Sequence, residues 1–325
     1  KQGVRLLSLA DAQANRAKFD YMPFQPRRPG IRPLCKIDLA TLARYIDWGP
    51  FFQTWDLAGR YPQILDDARV GEQARAVFAD AQAMLKKIID EKWLVANAVF
   101  GLFPANAVGD DIEIYRDETR GSVAMIWHGL RQQHERPADQ ANRCLADYIA
   151  PKGTPDWIGA FAVTAGIGIE AKLAEFEMQH DDYHAIMLKS LADRLAEAAA
   201  EWLHERVRID DWGYARDTEH GKLDLDELIA EKYQGIRPAP GYPACPDHTV
   251  KKGLFTLLDV PGNAGMDLTE SFAMTPAASV SGFYLAHPQA KYFAITKIGR
   301  DQLEDWAKRT NYPVPEAEKW LAPLL

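Results

Sequence analysis

The residue types able to do chemistry crowd most closely in Arg237-Pro-Ala-Pro-Gly-Tyr-Pro-Ala-Cys-Pro-Asp-His248. Four prolines in twelve residues exclude an ordinary helix or a central strand. The extended backbone that remains leaves N–H and C=O groups unpaired, behind a leading arginine and around a Gly-Tyr pair. That combination suits reading a small polar ligand. Cys245 and His248 would act as nucleophile and base only in contact, which spacing alone does not supply. A structural thiol is the plainer reading.

Other constellations are weaker. Gly166-Ile-Gly168-Ile-Glu-Ala171 follows an apolar run and opens a helix, as a dinucleotide fingerprint would. More helix follows it, with no second parallel strand bearing an acidic tip, so it reads as a plain strand-to-helix turn. His180 and His184 share one helical face, yet there is no HExxH order and no third ligand, and Asp181 is a good helix start. No metal site is expected. Asp110-Asp111-Ile-Glu-Ile-Tyr-Arg-Asp-Glu118 is rich in carboxylates; acid–base work and a solvated hairpin are both open. Asp47, in the aromatic turn Tyr45-Ile-Asp-Trp-Gly-Pro-Phe-Phe52, needs a partner if buried. A ligand ammonium, a backbone cap and a salt bridge are equal options.

The elements that must position these residues follow from patterning. Residues 22–36 are Pro-rich and read as an extended surface segment. Asp38 caps a short helix through Tyr45, and residues 71–92 form an amphipathic helix burying Ala74, Val77, Phe78, Ala81, Met84, Leu85 and Ile88. Strands are expected at 98–103, 111–115, 123–127 and 157–164, the first three joined by short links that favour antiparallel pairing. Residues 170–207 read as two helices meeting near His180-Asp181, and 223–232 as a helix capped by Asp224. A helix is expected near 247–258, a hairpin from 280–285 and 291–298, and helices at 300–309 and 315–321. Strands bunch and helices bunch, so the fold class is α+β: a mostly antiparallel twisted sheet flanked by long helices, in a single large domain. Residues 1–37 read as a Pro-rich basic linker and 38–325 as the domain.

Charge and composition exclude several classes. Net charge is −8, but residues 1–44 carry +6 and the rest −14, which disfavours nucleic-acid binding by the domain. The basic arm could meet an acidic partner, or simply be solvated. No apolar run reaches the roughly 18 residues of a membrane span, and no signal peptide is visible. Three scattered cysteines read as reduced thiols of a cytoplasmic protein. A start at Lys1-Gln2 rather than Met fits a fragment of a longer polypeptide.

Taken together, the segments 45–52, Gly101-Leu-Phe-Pro-Ala-Asn106, 109–116, Cys144-Leu-Ala-Asp147, Gln179-His-Asp-Asp-Tyr183, Ala192-Asp-Arg-Leu-Ala-Glu197, Gln234-Gly-Ile-Arg-Pro-Ala-Pro-Gly-Tyr242 and 277–287 resemble the C-terminal activation domain of cobalamin-dependent methionine synthases. The Arg-x-x-x-Gly-Tyr core alone is weak; eight segments in order, spanning nearly the whole chain from about residue 11, are specific. The resemblance implies a domain that binds S-adenosylmethionine (AdoMet) and presents its methyl for reductive methylation of cob(II)alamin, restoring a methyltransferase of methionine biosynthesis. The alternative is a docking module that binds the corrinoid domain and flavodoxin without AdoMet.

The implied AdoMet residues are Arg237 for the carboxylate, Asp47 for the ammonium, Ala239, Gly241 and Tyr242 beside the adenosine, Tyr284 and Leu285 on the late strand, and Glu197 and Glu231 near the same cleft. No catalytic residue is implied, because the nucleophile is the metal and the leaving group a neutral thioether. The domain supplies proximity and alignment. Cobalamin and zinc are assigned by the resemblance to upstream domains. Partners are the cobalamin-binding domain of the same polypeptide and a flavodoxin-type electron donor. The cobalamin signature Asp-x-His-x-x-Gly is missing; Asp182-Tyr-His-Ala-Ile-Met187 fails at its last position. Alone, the chain is expected to bind AdoMet without completing methionine synthesis.

Overall fold

The chain runs α1 (Leu9–Ala14), β1 (Gly30–Leu34), α2 (Leu39–Ala43), α3 (Gly49–Thr54), α4 (Gly71–Asp90), β2 (Val95–Val108), β3 (Asp111–Tyr115), β4 (Val123–His128) and β5 (Asp156–Ile167). It continues through α5 (Ile169–Met178), α6 (Asp182–Arg206), α7 (Leu225–Ile229), α8 (Val250–Leu257), α9 (Val260–Ala264), β6 (Asp267–Leu268), β7 (Met274–Thr275), β8 (Ser279–Tyr284), α10 (Arg300–Thr310) and α11 (Val314–Trp320). This computed structural model describes residues 5–325, the side chain of His220 excepted; Lys1 and Gln2, with the two residues after them, lie outside the described residues.

The long strand β2 organises the sheet. Along one edge it pairs with β5 from Val95 to Ala105. It pairs with β1 through Ala98–Leu102 and with β3 through Ala105–Val108. The sheet order is β4-β3-β2-β5-β8, with β1 beside β2, and every pairing in it is antiparallel. Successive side chains of a strand point to opposite faces. Ala98, Phe100 and Leu102 therefore join a core with α2, α3, α4 and α6. Val99, Phe103 and Ala105 join a second core with α8 and α9. A smaller third cluster holds α10 and α11 around Leu303 and Trp306. Both sheet faces are covered, which is why β2 and β5 read as apolar runs rather than alternating strands.

Local chemistry explains the helix starts. Asp38 accepts from Thr41 N–H at 3.0 Å, and Asp181 from His184 N–H at 3.1 Å. Asp224 and Glu227 form a reciprocal capping box on α7. α6 buries a run of small residues, Ala192, Ala196, Ala198, Ala199 and Ala200, which lets its axis lie close to β5 and β8. The Pro-rich leading segment is extended and contributes β1 to the sheet. Gly168, with φ +90, turns β5 into α5, and the sheet around that turn is antiparallel, so no dinucleotide-binding unit forms there.

One expected element is corrected. Residues 280–284 of the first expected strand lie in β8, but 291–298 is not a strand, and no hairpin forms. The edge of β8 that such a strand needs is occupied. Ile236 exchanges two backbone hydrogen bonds with Leu285, and Phe283 N–H donates to Pro238 O at 2.9 Å. The 291–298 stretch lies over that segment instead, with Ile295 N–H donating to Pro243 O at 2.8 Å.

Candidate functional site

A polar stripe runs down α6 on a helix otherwise buried by Ala and Leu. Glu197, Glu201, His204 and Arg208 are four, three and four residues apart, which places them on one face. Arg208 lies just past the helix, in the π-helical turn Val207–Asp211 that ends it. The stripe faces the segment carried by the edge of β8, and its counterpart there is Arg237.

Arg237 is held from three directions. Its Nη2 donates to Glu201 Oε2 at 2.7 Å. Its Nη1 donates to the Tyr233 hydroxyl at 3.0 Å and to His204 Nδ1 at 3.2 Å. A guanidinium has only donors, so His204 must accept through Nδ1 and is the neutral Nε2–H tautomer. Burial drives the His204 pKa well below its usual value, and the charges of Arg208 and Arg237 push the same way. Burial opposes the charge on Arg237, but Tyr233 and Glu201 beside it raise its pKa above the usual range. Arg208 sits 3.8 Å from the Tyr233 ring centroid, and His204 stacks on Tyr284 at 5.0 Å.

Arg237 forms the floor of an open cleft of about 500 Å³. Phe161, Val280 and Pro238 give it apolar walls; Tyr292 and Phe293 face them, and Glu197 and Glu231 add carboxylates. The volume lies within the range of small-ligand sites, and apolar walls around a few convergent charges are their usual chemistry. Burial raises the Glu231 carboxyl against the pull of Arg237. The Glu197 carboxylate raises the Tyr242 phenol, with burial adding to it.

The residues singled out from the sequence divide into three groups. Arg237, Ala239, Tyr242, Glu197 and Glu231 line the cleft together. Gly241 adjoins it: φ is +96, and a Cβ there would come within 2.4 Å of the His248 ring, so this position takes only glycine. Tyr284, Leu285 and Asp47 do not line the cleft. Tyr284 is buried behind the wall, stacked on Phe161 at 4.7 Å, and Leu285 is buried on the opposite face of the sheet. Asp47 lies in the α2–α3 link, where Oδ1 accepts from Gly49 N–H at 3.0 Å, leaving Oδ2 without a protein hydrogen bond. That link is tied to α6 by Tyr45, whose hydroxyl donates to Glu205 at 2.6 Å.

Sequence reasoning missed Glu201, His204, Tyr233, Tyr292 and Phe293. The first two were recoverable from their spacing to Glu197. Tyr292 was not, because its place in the wall depends on 291–298 crossing the Pro-rich segment; its hydroxyl accepts from Arg237 N–H at 3.0 Å.

The remaining candidates are structural. Cys245 is buried, and burial raises its thiol far above the usual range. His248 packs on Gly241. His184 is bonded to Asp181 at 2.7 Å, and no group of three His, Cys, Asp or Glu suited to a metal occurs among the described residues. Asp110 is buried against Arg131 rather than solvated. No helix among the described residues is long and apolar enough to cross a membrane.

This arrangement is an α+β domain with an apolar-walled cleft over a charged stripe. A family model described as vitamin B12 dependent methionine synthase, activation domain, matches residues 38–311. A crystal structure of the MetH reactivation domain bound to AdoHcy is similar to this chain at 55% identity and a TM-score of 0.95, with 98% of each chain covered. The chain belongs to the activation-domain family of vitamin B12-dependent methionine synthases, which are methyltransferases.

Proposed function

We propose that the cleft binds AdoMet and presents its methyl group to cobalamin carried by another domain of the same polypeptide. The observation that carries this reading is Arg237: a cation set in the cleft floor, with three of its five N–H donors bonded to protein and two left over. A ligand carboxylate is the complement of that fork. AdoHcy, the ligand of the similar structure, has the amino-acid and adenosine ends of AdoMet and supports the reading.

The other residues divide the work. Asp47, through its free oxygen, takes the ammonium; the link that carries it is seated on α6 beside the stripe. Ala239, Gly241 and Tyr242 lie along the nucleoside, with Tyr292 and Phe293 opposite. Tyr284 and Leu285 act from behind, by holding Phe161 and the Ile236 edge in place. Glu197 and Glu231 set a negative potential across the cleft, which suits a sulfonium. AdoMet supplies the methyl group; the chain supplies binding, orientation and alignment. Zinc and cobalamin belong to other domains, and a flavodoxin-type protein donates the electron needed for reductive methylation. The isolated chain does not complete methionine synthesis.

Calorimetric titration of the wild-type chain with AdoMet is expected to show one site. A flat titration would overturn the proposal, and turnover of AdoMet without added cobalamin would replace it with a self-contained methyltransferase.

A further inference from the structure

Five buried polar atoms beneath the cleft have no hydrogen-bond partner in the protein: Glu201 Oε1, His204 Nε2, Tyr284 OH, and Arg208 Nε and Nη1. Buried polar groups are ordinarily paired, and leaving one unpaired is costly. Here they gather on one helix stripe and the strand beside it. They surround a guanidinium that is itself only partly used.

Arg237 has long-chain freedom to lose on binding. A side chain free to swing gives up rotamer entropy when a ligand fixes it. In this structure that freedom has already been removed. Glu201, whose side chain is 10% exposed, fixes Nη2, while His204 and Tyr233 together take both hydrogens of Nη1. What remains free is Nε–H and one hydrogen of Nη2, two donors belonging to adjacent nitrogens. Charge is arranged as well as position. Arg208, fully buried, and Arg237, whose side chain is 18% exposed, bring positive charge and Glu201 one negative charge, with His204 neutral.

We infer that Glu201 is a positioning residue for ligand recognition: with His204 and Tyr233 it presets the fork of Arg237 to receive a carboxylate. It does not touch the ligand; it acts through Arg237. This rests on the proposal that the cleft binds AdoMet, and it specifies which end of the ligand the α6 stripe serves.

The test compares AdoMet with its decarboxylated analogue, which keeps the sulfonium and the adenosine but has no carboxylate. Wild-type chain and Glu201→Gln are titrated with both. If Glu201 acts through Arg237, Glu201→Gln binds AdoMet about tenfold more weakly, at the low end for a hydrogen bond to a charged group. It binds the decarboxylated analogue as the wild type does. Tyr233→Phe, which removes one acceptor from Nη1, shifts AdoMet in the same direction by about threefold. Equal weakening for both ligands would mean general damage to the cleft and overturn the inference. So would tighter AdoMet binding, because Glu201 would then be competing with the ligand. Failure of the wild type to bind AdoMet would instead reject the function proposed for the cleft.

Discussion

Two arginines in this domain, Arg131 and Arg237, differ in how far their hydrogen bonds are committed. Arg131 is fully buried and has a partner for each of its five N–H groups: Asp110, Asp147 and the Asn142 carbonyl. Its carboxylates are equally committed. Asp147 also accepts from Cys144 N–H at 3.1 Å, and Asp110 from Gln13 at 3.0 Å. Burial alone would raise the Asp110 carboxyl, but Arg131 holds it below the usual range. Arg237 has the same kind of partners and spends only part of itself on them. A fully paired cluster holds the fold together, while one left partly unpaired at a cleft is what the proposed carboxylate site requires.

The largest expected effect breaks the scaffold arginine. Arg131→Met strands Asp110 and Asp147 in the interior and should cost about 3–5 kcal/mol, read from the urea midpoint. Protein that still folds should bind AdoMet normally. Next, Arg237→Ala should weaken AdoMet by about 1.5–3 kcal/mol by calorimetry while costing less stability than the Arg131 change. Equal stability losses from the two would erase the distinction. Gly241→Ala disturbs the segment without touching its arginine. The positive φ and the His248 contact should cost about 1–2 kcal/mol of stability.

The smallest effect is a pH slope. His204 has its folded pKa lowered below the unfolded value near 6.5. Its unfolded form takes up a proton first, so stability is lost as pH falls below about 6.5. Asp110, also lowered, loses its contribution only below the ordinary value of 3.8. Between those limits His204 contributes in the same sense as His248 and His287, whose values burial also lowers. His204→Phe should flatten the urea-midpoint slope from about pH 6.5 to 4.5 relative to wild type, and an unchanged slope would remove His204 from the account. Asp156, raised by burial to about 6, works in the opposite sense and is common to both proteins.

Much of the fold was legible because it is local. The buried face of α4 was given by period, and the starts of α2 and α7 by their Asp caps. The break between α5 and α6 fell where Asp181 stands ready to cap. The site was half legible. Arg237 and Gly241 announce themselves, one by charge in a Pro-rich stretch and the other by a conformation only glycine takes easily. Glu201 and His204 were hidden because residues 170–207 read only as helix, with no face assigned to their polar residues. Tyr292 was hidden by topology: 291–298 reads as the second strand of a hairpin, and nothing local says that the edge of β8 is already taken.

That edge has a further consequence. An unpaired strand edge is a template for another chain, and sheets that leave one open are prone to stick to their neighbours. Here the outer side of β8 is covered by Ile236 and Pro238, and Pro238 and Pro240 have no N–H to offer a further strand. The prolines that shape the cleft thus also leave this edge short of N–H donors for a further strand. Substituting them would risk insolubility before it changed what the cleft binds.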